Sequence, residues 1–242
     1  MTAAAPLVFV PALGSDERLW QPVADRLADR HTTVVVRGEG NSIRQMADSV
    51  LEQSPEKFFL AGNSMGGYVA LDIALRQPCS RVVGLALLNS SAIAADSGRR
   101  ENSLRVIEMA RRGHFDDAVD LITSAVAPGR PDIAATASVM ARDLGVDVFV
   151  AQQIAVMTRA DRRAELASVT VPTLVIAGGE DAITPSSLGG ELAASISGAE
   201  LEVLAGVGHL STLEAPEAVA VRMDRWLTAL VAGRVESMEV RP

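Results

Sequence analysis

The stretch Lys57-Phe58-Phe59-Leu60-Ala61-Gly62-Asn63-Ser64-Met65-Gly66-Gly67-Tyr68 decides how this chain is read. The apolar run Lys57 to Ala61 reads as a strand, and Tyr68 to Arg76 as a helix with Val69 and Ile73 on one face. Gly62-Asn63-Ser64-Met65-Gly66 is then a sharp turn between them. The glycines on both flanks let the backbone bend tightly enough to push a serine hydroxyl out at the top of a sheet, with the following helix N-terminus beneath it. Ser64 is therefore the candidate nucleophile. As a bare pentapeptide it would be no more than a turn serine; the strand, turn and helix around it argue for chemistry.

A serine hydroxyl attacks poorly at neutral pH unless a base removes its proton, and an imidazole both accepts that proton and returns it to a leaving group. A carboxylate on the other ring nitrogen fixes the tautomer and stabilises the transient imidazolium. Both partners follow Ser64 in the chain. A carboxylate lies in Ala177-Gly178-Gly179-Glu180-Asp181-Ala182-Ile183-Thr184-Pro185, directly after the β-branched run Thr173 to Ile176. His209 lies in Gly206-Val207-Gly208-His209-Leu210, after the short run Leu201 to Leu204. Each group leaves a strand at its C-terminal end, so all three meet at one sheet edge. Glu180 adjoins Asp181, and position alone leaves both open. His31 precedes an early strand and falls at the opposite edge, and His114 lies among helical segments, which leaves His209 as the base.

Outward from the turn, short apolar runs alternate with helical periodicity, the pattern of a mostly parallel α/β sheet with helices on both faces. The strands expected are Leu7 to Val10, Thr33 to Arg37, Lys57 to Ala61, Val82 to Leu88, Thr173 to Ala177 and Leu201 to Leu204. Leu19, Val23 and Leu27 form a helical core stripe, as do Val219, Met223, Leu227 and Leu230. From about Ile93 to Ser168 the alternation stops: helical stretches at Leu104 to Arg112, Phe115 to Ala125, Ile133 to Leu144 and Val148 to Arg159 are divided by Gly113, Pro128 to Pro131 and Gly145. Residues 1–92 and 169–242 thus read as a core and 93–168 as an inserted helical cap, with an unordered tail from Gly233.

This pattern resembles the α/β-hydrolase family over nearly the whole chain. Phe9-Val10-Pro11-Ala12-Leu13-Gly14 is similar to the family's loop after the first core strand, Arg37-Gly38-Glu39-Gly40-Asn41-Ser42 to its Arg-Gly-x-Gly-x-Ser turn, and Glu214-Ala215-Pro216-Glu217 to the end of its histidine loop. The resemblance implies an α/β-hydrolase fold with a cap over the nucleophile, places the acid at Asp181 just before Ala-Ile-Thr-Pro, and implies an oxyanion hole from the backbone N–H groups of Leu13 and Met65. The usual His-Gly before the oxyanion residue is here Pro11-Ala12. A backbone donor needs no particular side chain, so Leu13 keeps that role. Asn89 stands near where some relatives carry an alternative acid, and an amide supplies no such charge.

The expected activity is a cofactor-free, metal-free serine hydrolase that cleaves a carboxylic ester, thioester or lactone through an acyl-enzyme. Gly-Asn-Ser-Met-Gly-Gly at residues 62–67 also suggests carbon–carbon bond hydrolysis or a lyase, and a slow-turnover ligand receptor is a third reading. Phe149, Gln153 and Met157 are the expected cap contributions to the substrate pocket. The chain has 242 residues, 48% hydrophobic, with net charge −8 and scattered arginines, which argues against a nucleic-acid partner; the partner expected of such a hydrolase is a small-molecule substrate. Cys79 is the single cysteine, so no intrachain disulfide forms. With no signal-like N-terminus and no run approaching the roughly 18 apolar residues of a membrane span, a cytoplasmic location without membrane attachment is expected. Nothing in the sequence specifies an oligomeric state.

Overall fold

The computed structural model describes residues 5–76 and 81–239. The reading of Cys79 and that of the first four residues concern positions outside the described residues. Six strands, β1 (Leu7–Val10), β2 (Thr33–Val35), β3 (Phe58–Asn63), β4 (Val82–Leu88), β5 (Thr173–Gly178) and β6 (Glu200–Leu204), form one sheet in the order β2-β1-β3-β4-β5-β6. Every pair is parallel. β1, β3, β4 and β5 are buried along their whole length, as a sheet covered on both faces requires. The edge strand β2 stops at Val35 rather than continuing to Arg37. The Val36 N–H still reaches Phe9 O at 2.8 Å, and beyond it the chain turns through Gly38 and Gly40 toward Ser42, which caps the next helix.

The helices are α1 (Gln21–Leu27), α2 (Ile43–Gln53), α3 (Met65–Arg76), α4 (Ser97–Arg111), α5 (Phe115–Val126), α6 (Pro131–Leu144), α7 (Val146–Met157), α8 (Ser186–Ser195), α9 (Ser211–Glu214) and α10 (Pro216–Glu239). Alternation along the strands divides the core. Val8, Val10, Phe58, Leu60 and Val175 face Val50 of α2, Val69 and Ile73 of α3 and Leu192 of α8. Leu7, Phe9, Phe59, Ala61 and Ile176 face Val23 and Leu27 of α1 and Met223, Trp226 and Leu227 of α10. The tail expected from Gly233 instead continues α10 to Glu239; one glycine costs a helix only about 1 kcal/mol.

All four helices of the insert lie between β4 and β5 and share a small apolar cluster that includes Val106, Val119, Ala141 and Phe149. α4 begins at Ser97, well before its first apolar position, because the Asp96 side chain accepts the Arg99 N–H at 2.8 Å and caps it. Among the described residues, no helix is long and apolar enough to cross a membrane. The strand order reverses between β1 and β3, since β1 continues outward to β2 and β3 inward to β4. Open α/β sheets form their ligand crevice at such a reversal, beyond the strands' C-terminal ends.

Candidate active site

Ser64 stands at that reversal, one residue beyond β3, with φ at 51°, a left-handed conformation that costs a non-glycine residue about 1–2 kcal/mol. Its neighbours make the strain tolerable. A Cβ on Gly62 would overlap the carbonyl oxygen of Gly66, and one on Gly66 would overlap that of Val10, so the turn closes only with glycine at both places. Ser64 N–H donates to Leu88 O at 2.9 Å, and Ser64 O accepts from Gly67 N–H, Tyr68 N–H and the Ser90 hydroxyl. These bonds anchor the elbow to β4 on one side and to α3 on the other.

From this turn a line of hydrogen bonds runs inward. Ser64 Oγ lies 2.8 Å from His209 Nε2, and His209 Nδ1 lies 2.8 Å and 3.0 Å from the two carboxylate oxygens of Asp181. Asp181 follows β5 and His209 follows β6, so the three expected residues converge from the ends of three strands. His209 and Asp181 are both buried. The Glu214 carboxylate accepts from Gly208 N–H at 2.8 Å and Leu210 N–H at 3.0 Å, which fixes the backbone on both sides of His209.

Asp181 is saturated with donors. Ile183 N–H and Thr184 N–H reach Oδ1 at 2.9 and 2.8 Å, while the Thr184 hydroxyl and Asn89 Nδ2 reach Oδ2 at 2.7 and 2.9 Å. Burial by itself would push this carboxyl up, but the hydrogen bond and charge of His209, with Thr184 and Asn89, outweigh it and hold the group below the ordinary carboxylate value. Glu180 is exposed, and its N–H is spent on Val207 O. The acid that faces His209 is Asp181. His31 pairs with Asp224 at 2.8 Å, and exposed His114 faces Asp117 across 3.4 Å, so neither approaches Ser64.

Asn89 has a part that sequence reasoning missed. It is buried, has φ of 47°, and donates from Nδ2 to both Asp181 Oδ2 and Gly208 O while Oδ1 accepts from Ser211 at 2.5 Å. The amide thus ties the acid loop to the histidine loop. Asn89→Gly deletes the amide and leaves the backbone free to keep its left-handed turn. The expected result is a fall in kcat of about tenfold on a nitrophenyl ester, the usual worth of a hydrogen bond to a charged group. An unchanged kcat in the folded variant would deny the amide any orienting role.

Beside Ser64, a cavity of about 270 Å³ lies between the sheet edge and the insert. Leu13 and Met65 line it, and among the described residues neither N–H donates to a protein acceptor. Met65 opens α3, so its N–H is one of the unpaired donors of a helix N-terminus. The loop carrying Leu13 is held from the insert: Gly14 N–H donates to buried Gln152 Oε1 at 2.7 Å. Phe149 and Gln153 line the cavity as expected, but Met157 does not; Val156 and Arg159 contribute instead. Phe149, Gln153 and Val156 follow one stripe of α7, and Met157, the last residue of that helix, points roughly 100° away from Val156. Asn63 is fully buried beneath the elbow, its amide directed at Asn89 Oδ1 3.5 Å away, and is not part of the cavity lining.

Comparison with known proteins agrees with this architecture. The sequence model of the Alpha/beta hydrolase family matches residues 7–222. The chain is 27% identical over 236 residues to 3-oxoadipate enol-lactonase 1 of Acinetobacter baylyi, covering 88% of this chain and 85% of that one. It is 30% identical over 230 residues to a pimeloyl-[acyl-carrier protein] methyl ester esterase of Yersinia enterocolitica, covering 88% and 89%. Among solved structures, a thermophilic esterase from Thermogutta terrifontis superposes with a TM-score of 0.83 at 25% identity, covering 94% of this chain and 90% of that one. The enol-lactonase from Burkholderia xenovorans gives 0.83 at 23% identity, covering 93% and 92%, a likeness of fold.

Proposed function

The chain belongs to the Alpha/beta hydrolase family and is a hydrolase, and from that premise we propose that it cleaves a carboxylic ester, thioester or lactone by covalent catalysis at Ser64. The observation that carries the proposal is the line Ser64 Oγ, His209 Nε2, His209 Nδ1, Asp181, with both hydrogen bonds at 2.8 Å and His209 and Asp181 buried. His209 takes the Ser64 proton as Oγ attacks the carbonyl carbon, and Asp181 holds the ring with Nε2 free to accept it. The tetrahedral oxyanion is received by the N–H groups of Met65 and Leu13, each such donor being worth on the order of 3 kcal/mol. His209 then protonates the leaving oxygen or sulfur, and water, activated by the same ring, releases the acid from the acyl-enzyme.

The insert, residues 93–168, serves as the cap of this site, with residues 1–92 and 169–242 as the core. Relatives named as a lactonase and a methyl ester esterase support an oxygen ester or lactone as the bond cleaved. Carbon–carbon bond cleavage is the lesser reading: Asn63, in the Gly-Asn-Ser-Met-Gly-Gly stretch that suggests it, is buried below the elbow and does not line the cavity. The proposed substrate is a small molecule, in keeping with a 270 Å³ cavity; the net charge of −8 speaks against a nucleic-acid partner, and the proposed setting is cytoplasmic.

Fluorophosphonate treatment followed by intact-mass measurement tests the attack. One adduct is expected on the wild type and none on Ser64→Ala. Folded wild-type protein that takes up no label would overturn the reading, and labelling with only a single turnover of nitrophenyl esters would favour a receptor.

A further inference from the structure

Arg159 is a buried cation without a carboxylate. It stands two residues beyond α7, is 6% exposed, and walls the cavity that holds Ser64. Its Nε donates to Ile93 O at 2.9 Å and its Nη1 to Val156 O at 2.7 Å, while the guanidinium lies 4.5 Å over the ring of Tyr68. Nη2 is buried and has no hydrogen-bond partner among the described residues. Capping the last turn of α7 and stacking on Tyr68 accounts for the rest of the side chain and leaves this N–H pair unused.

Charges of both signs act on it from nearby, and among the described residues none is paired with it. Arg99 lines the same cavity, and Arg100 lies near enough to act on Arg159. Asp96 is the nearby acid, and its carboxylate is engaged by the N–H of Arg99 at 2.8 Å and by the Arg99 side chain at 3.5 Å. Among the described residues, no Asp or Glu lines the cavity; apart from His209, its titratable side chains are Arg99, Arg159 and Tyr68. Burial pushes the Arg159 guanidinium down from its ordinary value, which is so high that the group stays charged. Burying an unpaired charge is strongly unfavourable, and the Nη2 N–H groups, which have no acceptor among the described residues, are what a carboxylate would take up. Arg159 also walls a second cavity beyond Tyr68, lined by Arg44, Arg162 and Asp72, but Ser64 has no part in that one, and its arginine Arg162 is already paired with Asp72.

We propose that the substrate carries a free carboxylate besides its ester or lactone bond, and that Arg159, assisted by Arg99, binds that carboxylate in the cavity beside Ser64. This rests on the hydrolase reading above. Tyr68 lies one helical turn after Ser64, so a guanidinium stacked on its ring sits within reach of a short chain attached to the acyl or alcohol side of the reacting carbonyl. The carboxylate fixes the substrate's far end, and the apolar walls formed by Phe149 and Val156 cover the stem between.

Two matched pairs test this on the wild type. The mono-4-nitrophenyl ester of glutaric acid is compared with its methyl-capped analogue, and the butyryl ester of glycolic acid with that of glycolic N-methylamide. At least a tenfold higher kcat/KM for the charged member of one pair is expected. Arg159→Met should lower kcat/KM for that charged member at least tenfold more than for its neutral partner. If the methionine variant does not fold, Arg159→Lys keeps the charge and loses the fork, and its KM should rise chiefly for the charged member. Equal rates within both pairs on the wild type, or equal losses on both members in the variant, would overturn the proposal. Fluorophosphonate labelling and turnover of the neutral esters report separately on hydrolysis, so a labelled, active enzyme indifferent to the carboxylate sinks this inference alone.

Discussion

Ser64→Gly is expected to lower kcat/KM by about 10,000-fold or more and, at the same time, to leave the protein more stable than Ser64→Ala by about 1 kcal/mol. Both variants lose the hydroxyl and its 2.8 Å bond to His209, so that loss cancels between them. What differs is the backbone. At φ of 51° an alanine Cβ keeps the steric cost that serine already bears, whereas glycine relieves it and loses part of the gain to its freer unfolded chain. The strain is the condition for presenting Oγ above the sheet edge, and it falls on the residue proposed as the nucleophile. Steady-state hydrolysis and denaturant unfolding of the pair read the two effects. Equal stability would mean the elbow carries no strain, and activity surviving within about a hundredfold would remove Ser64 from the attack.

The elbow was legible because its requirements are local. Gly62 and Gly66 are demanded by backbone atoms a few positions away or on the adjoining strand, and a strand run and a helix run meet at Ser64 in the sequence itself. His209 and the acid loop were legible because parallel strands deliver their following loops to one edge, and the family resemblance chose Asp181 over its neighbour Glu180. What could not be read is what depends on packing between distant segments. Asn89 looked like the loss of an acid, yet its amide spans 92 positions to hold the acid that is present. Gln152 gives no sign in its own helix that it holds the Gly14 N–H 138 positions earlier. Met157 was expected at the cavity because helical phase says which residues share a face, not which face meets the core. Arg159, beyond the last turn of α7, fell outside the stripe and closes the wall. The strand ends were misjudged by one or two residues for the same reason: whether a backbone group pairs depends on its neighbour's length.

Asp181→Asn is expected to lower kcat by about 10,000-fold, while Glu180→Gln changes it less than about threefold. The asymmetry follows from the donors. Ile183 N–H and Thr184 N–H both point at Oδ1, so an asparagine places its carbonyl oxygen there and its NH2 group where Oδ2 stood. That NH2 then faces the Asn89 amide donor and His209 Nδ1. The ring is driven to accept at Nδ1 and to carry its proton on Nε2, toward Ser64, and a protonated Nε2 cannot take the serine proton. Stability reports the same charge. Because the folded Asp181 carboxyl is held below its ordinary value, its contribution is complete above the unfolded pKa of about 4 and is lost as pH falls through the lower folded value. The gap in denaturation midpoint between wild type and Asp181→Asn should therefore be widest near neutral pH and close progressively below about pH 4. A gap that persists unchanged into acid would show that the carboxylate's charge is not what the surrounding donors hold, and with it would go the claim that this charge keeps His209 in the form that serves Ser64.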